Sequence, residues 1–97
     1  MPRTFLQRRL IDVSDRLKRL RAELAVTDEQ CAFIEAEADD ARLRSLVSDS
    51  PAAGREHRDA ERHADAMRRS RDALATSIAE LERAQDELLD RLVTESR

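Results

Sequence analysis

With 97 residues the chain is one small domain at most, and with 2% aromatic residues it lacks the large side chains that usually fill a globular core. Charged residues make up 40% of it, beside one Gly and two Pro, a composition that excludes a sheet protein and suits long helices. The net charge of −3 and a pI near 5.4 oppose non-specific binding to nucleic acid or to an anionic membrane surface, so neither is an expected partner.

The first predicted element is a helix over about residues 4–47. The stretch TFLQ at Thr4–Gln7 matches the capping box, in which the Thr hydroxyl and the Gln amide each satisfy a backbone N–H that the first turn leaves orphaned. From there apolar or small residues recur in alternating steps of four and three: Leu6, Leu10, Val13, Leu17, Leu20, Leu24, Thr27, Cys31, Ile34, Ala38, Ala41, Ser45. A 3.5-residue repeat kept this long holds one stripe on one side of a supercoiled helix, the seam of a coiled coil, and a strand cannot supply that period.

The next stretch, SDSPAAG at Ser48–Gly54, collects Pro, Gly and Ser between two long charged segments. Pro51 disfavours helix at Ser50 but suits the first position of a new helix, so Ser50 reads as N-cap and the turn as residues 48–50. Gly54, inside the following first turn, costs up to ~1 kcal/mol relative to Ala and marks the place most prone to fray. So short a connection makes its two helices antiparallel neighbours.

A second helix follows over about residues 51–95, with His57, Ala60, Ala64, Met67, Arg71, Leu74, Ile78, Leu81, Gln85, Leu88 and Leu92 on its seam. Folding at residue 49 sets Leu10 against Leu88, Leu17 against Leu81, Leu20 against Ile78 and Leu24 against Leu74; a register shifted by half a heptad sets Ile34 against Arg71 instead. Helices of this length, at 1.5 Å per residue, make a rod ~60 Å long. Near the turn the seam narrows to Ala38, Ala41, Ala60 and Ala64. Charge supports the same fold: residues 1–22 carry seven positive and two negative charges, residues 23–40 seven negative and none positive, residues 55–71 are net positive and residues 72–97 net negative. Antiparallel pairing joins opposite signs. Since each exposed pair is worth ~0.2–1 kcal/mol, these charges select orientation more than they stabilise it. The fold class is thus all-α, an antiparallel two-helix coiled-coil hairpin that dimerises into a four-helix arrangement.

A seam this thin needs a second buried side. Off the seam lie Val26 and Phe33 on helix one, Leu46 and Val47 near the turn, and Leu89 and Val93 near the open end; Asp49 and Arg55 flank the turn. These eight residues form the predicted partner-binding set, with Phe33, one of two aromatics, one heptad after Val26. The partner is a protein, a larger one or a second copy; no small-molecule substrate is evident.

Chemistry has little purchase elsewhere. His57, Glu61 and His63 lie in HRDAERH, where His57 and Glu61 share a helix face, but the spacing is not that of the H-E-x-x-H zinc motif, so no metal is expected. Cys31, the sole cysteine, rules out an intrachain disulfide and reads as a small core residue among acidic neighbours. Arg71 and Gln85 read as polar register devices. No Gly-rich phosphate loop and no Ser/His/Asp set is present, so neither catalytic residues nor a cofactor are expected. No apolar run approaches the ~20 residues that span a bilayer, and MPRTFLQRRLIDVSD has no signal-peptide core, which makes the cytoplasm the expected compartment.

Three resemblances bear on function. RRLIDVSDRLKRLRAELA (residues 8–25) resembles the first helix of all-helical chorismate mutases, which implies a small mutase-like enzyme; those enzymes use a lysine well along that helix and a third helix, and here Lys18 is the sole lysine. Length and hairpin architecture are similar to secreted helical hairpins with a W-x-G turn, but the chain has no Trp. The turn with Asp49 resembles the coiled-coil fingers that enter the RNA polymerase secondary channel, which implies a regulator acting through its tip; those fingers carry paired acidic residues and a globular domain. None of the three assigns a family. The expected function is that of a non-enzymatic interaction or scaffold protein, with the tip regulator and the mutase as alternatives.

Overall fold

The computed structural model describes residues 4–96, which form two helices: α1, Phe5–Val47, and α2, Pro51–Glu95. Among the described residues there is no strand, and no helix is long and apolar enough to cross a membrane. The connectivity is that of a helical hairpin.

Both helix starts are built by side chains. The backbone N–H of Thr4 donates to Gln7 Oε1 at 2.9 Å and that of Gln7 donates back to Thr4 Oγ1 at 3.1 Å, a closed capping box. At α2 the N–H of Ala53 donates to Ser50 Oγ at 3.1 Å, and the N–H of Ser50 donates to Ser48 Oγ at 3.3 Å. No described residue has positive φ, so α1 ends without the left-handed residue that often closes a helix. Pro51, which disfavours helix at Ser50, accounts for its stop, and the serine side chains serve the start of α2. The helix is continuous through Gly54, whose N–H reaches the Ser50 carbonyl at 3.4 Å.

The stripe read from the sequence is the buried stripe. Each position in the 3–4 spacing on α1 and α2 is buried or half-buried, whereas nearly all intervening positions are exposed. By contacts the chain divides into two units, Met1–Leu24 with Leu74–Arg97, and Ala25–Ala73.

The first unit holds the larger side chains. Leu6, Val13, Leu17, Ile78 and Leu88 form its core, with Leu10, Leu20, Leu24, Leu81 and Leu92 packed against them. Gln85 Nε2 donates to Ser14 Oγ at 3.0 Å, so this polar seam residue is satisfied across the helices. Arg21 and Glu82 pair at 3.5 Å beside it.

In the second unit the buried residues are small: Cys31, Ala38, Ala41 and Ala64, with Thr27 buried beside them. Small side chains bury little apolar area, at roughly 25 cal/mol per Å², so ionic contacts matter more here. Arg68 reaches Glu35 of α1 at 3.1 Å and also bonds Asp65, and Arg44 reaches Glu56 at 2.6 Å.

Candidate protein-interaction surface

Burial of the seam decides which apolar residues are left outside. Within the second unit Phe33 is 65% exposed and Val26 54%, which for large apolar side chains in the middle of a helix means that none of the described residues covers them. They are seven residues apart, two turns of one helix face. Beside Phe33 lies a groove of about 490 Å³ lined by Glu29, Gln30, Phe33, Ile34, His63 and Met67. Its floor is apolar and its walls come from both helices. Nearer the turn a more polar hollow of about 300 Å³ is lined by Glu37, Asp40, Ala41, Arg44, Glu56 and Ala60.

The remaining expected residues are exposed but separate. Leu46 and Val47, at 69% and 87%, stand in the last turn of α1, next to exposed Asp49 and Arg55. Leu43 joins them at the surface. In the first unit Leu89 and Val93 are exposed on α2. The structure therefore presents three patches rather than one site. His63 and Met67 were not read as wall residues from the sequence; their only signal was that a seam Met and its flanking neighbour must border whatever lies beside Phe33.

The side chains singled out for possible chemistry lie on or beside the seam. Cys31 is buried, and its thiol donates to Glu35 Oε1 at 3.6 Å. Burial pushes its pKa above the ordinary 9.0, and the Glu35 carboxylate pushes it the same way by charge and by hydrogen bonding, against the opposing pull of Arg71 and Arg68. A thiol kept protonated is a poor nucleophile and a poor metal ligand. Bonding to Asp65 and then to Glu35 raises the pKa of Arg68, which fixes it as a permanent cation across the helices. Arg71 is half-buried and pairs with Asp72 at 3.4 Å. His57 Nε2 lies 3.7 Å from Glu61 Oε1, and among the described residues no three His, Cys, Asp or Glu side chains gather as a metal site.

No protein-family model matches this chain, nor does any curated protein or any solved structure.

Proposed function

We propose that this chain is a non-enzymatic interaction protein of the cytoplasm, an antiparallel two-helix coiled-coil hairpin that works by presenting an apolar flank to a protein surface. The observation that carries the reading is the exposure of Val26 and Phe33 beside a groove with an apolar floor, in a chain whose seam side chains are already turned inward. Aromatic anchors next to a pocket are the usual energetic centre of a protein interface. The antiparallel pairing is supported by its contacts: in one unit Ser14 meets Gln85 and Arg21 meets Glu82, and in the other Glu35 meets Arg68 and Arg44 meets Glu56, so the α2 partner falls as the α1 residue rises. The Ser14–Gln85 bond suits the register that sets Val13 opposite Gln85 and Leu10 opposite Leu88.

The test is a photo-crosslinking residue at Phe33, with the same residue at exposed Thr76 as control, irradiated in native lysate. Protein adducts specific to position 33, whether to the chain itself or to another protein, are the expected result. Equal yields at the two positions remove the flank as an interface.

A second reading, a regulator that binds a large machine such as RNA polymerase through its tip, is favoured by the exposure of Leu43, Leu46 and Val47 beside Asp49 and Arg55. It requires that a crosslinker at Val47 capture a subunit of that machine, and that Leu46→Ser with Val47→Ser abolish the capture.

A further inference from the structure

We infer that the partner of the Phe33 flank is a second copy of this chain, docked with its turn at the same end, so that α1 of each protomer lies against α2 of the other. This rests on the flank being an interface and adds the identity of its occupant.

Two rows border the groove within residues 25–73. On α1, Val26, Gln30, Phe33, Glu37 and Asp40 follow one another in steps of four and three, a continuous row on a helix surface. On α2, Arg62, Ala66, Arg69 and Ala73 form such a row next to His63 and Ser70. Every residue of both rows is exposed, as are His63 and Ser70 beside the second. The first row offers two apolar knobs followed by two acidic side chains, with Glu29 as a further carboxylate at its rim. The second alternates two arginines with two alanines. They are complementary in shape and in sign.

Which of them meets which is decided by charge. Residues 23–40 hold seven acidic and no basic side chains, so pairing α1 against α1 about Phe33 would bring Glu29 of one copy to Glu37 of the other. Like charges set face to face cost several kcal/mol in an interface. Pairing α1 against α2 of the second copy instead brings Glu29 to its Arg69 and Glu37 to its Arg62, while Phe33 settles over its Ala66 and Val26 over its Ser70 and Ala73. Small residues there let the knobs approach the helix backbone closely. Glu29, Glu37 and Arg69 enter no ion pair among the described residues, and Arg62 is held by Asp59 alone, so these charges are available. Because the same patch serves both protomers, the contact is isologous: each interaction forms twice and the assembly closes as a dimer rather than growing.

Sedimentation of the purified full chain over a concentration series tests this, with helix content followed by circular dichroism. A monomer–dimer equilibrium is expected, lost in Phe33→Glu without loss of helix. Glu37→Arg and Arg62→Glu should each weaken the dimer by at least about tenfold, since symmetry repeats the damage, and the double variant should recover most of the loss. In chains that also carry Cys31→Ala, Val26→Cys mixed with Ser70→Cys should give a disulfide-linked heterodimer, and Val26→Cys alone should not. A monomer at every concentration, a dimer indifferent to Phe33→Glu, a double reversal that restores nothing, or linkage of Val26→Cys to itself overturns the inference. Monomeric protein that still gives a foreign adduct at position 33 sinks the second copy and leaves the interaction reading standing; monomeric protein with no adduct sinks both.

Discussion

Leu17 has no exposed surface and sits in the Leu-rich core of the first unit, flanked by Val13 and Ile78. Its truncation removes both transfer energy and packing, and two helices have few neighbours that can collapse into the gap. Leu17→Ala is therefore expected to cost ~2–4 kcal/mol, read as a fall in the urea midpoint, whereas Phe33→Ala should change the midpoint of the monomer by under ~0.5 kcal/mol. Cys31 makes a second prediction at this scale. Its folded pKa is raised above the unfolded value, chiefly by burial, so the neutral thiol favours folding below pH 9.0 and the contribution is lost as pH climbs through the folded pKa. Stability should fall on the alkaline side, and less so in Cys31→Ala. Maleimide should label the folded protein at neutral pH more slowly than the urea-unfolded chain. Equal rates would mean that neither Glu35 nor the seam shields the sulfur.

The helices as elements were largely legible because their information is periodic and local. A step of three or four is a property of the chain alone, so the seam from Leu6 to Ser45 and from His57 to Leu92 coincides with the buried stripe, and TFLQ and SDSP cap the helices through bonds that span three residues. What joined residues across the helices was not legible to the same degree. The wall opposite Phe33 depends on the rotation of α2 about its own axis, which no local pattern encodes, and the residues seven from Leu43, Ala36 and Ser50, are too small to mark an apolar row with it. Gly54, expected to cost stability in the first turn of α2, lies in continuous helix, and a Cβ there would meet only the Arg58 Nη1 atom at 3.4 Å, the tip of a flexible side chain. Gly54→Ala should then raise stability by ~0.5–1 kcal/mol, seen as a higher melting temperature. Arg71→Leu tests the polar seam in the opposite sense: about 1 kcal/mol gained from an apolar seam residue, with the register loosened enough to broaden distances between spin labels on Arg21→Cys and Glu82→Cys.

At the scale of the whole molecule the decisive feature is the stop between the helices. Both helices are rich in strong helix formers, and a chain that ran straight through residues 48–50 would satisfy the same seam by pairing with a second chain, the open, exchanged form of the hairpin. Three side chains stand against this. Pro51 removes a backbone donor and disfavours helix at Ser50, an interior cost of ~3 kcal/mol, while Ser48 and Ser50 satisfy the N–H groups that the reversal exposes. The exchanged form gains no new seam contact, so the balance is set by this local cost together with the entropy lost in joining two chains. In the native chain Arg21→Cys with Glu82→Cys, placed on Cys31→Ala, should be joined within one chain by a bifunctional maleimide long enough to replace the two parent side chains, whose ends meet at 3.5 Å. Replacing Ser48, Ser50 and Pro51 together by Ala should move that crosslink to between chains, visible as a covalent dimer on denaturing gels. If the native chain already links between molecules, the proposed hairpin gives way to an exchanged pair; if the triple variant still closes within one chain, the reversal is held by the seam itself and not by its turn.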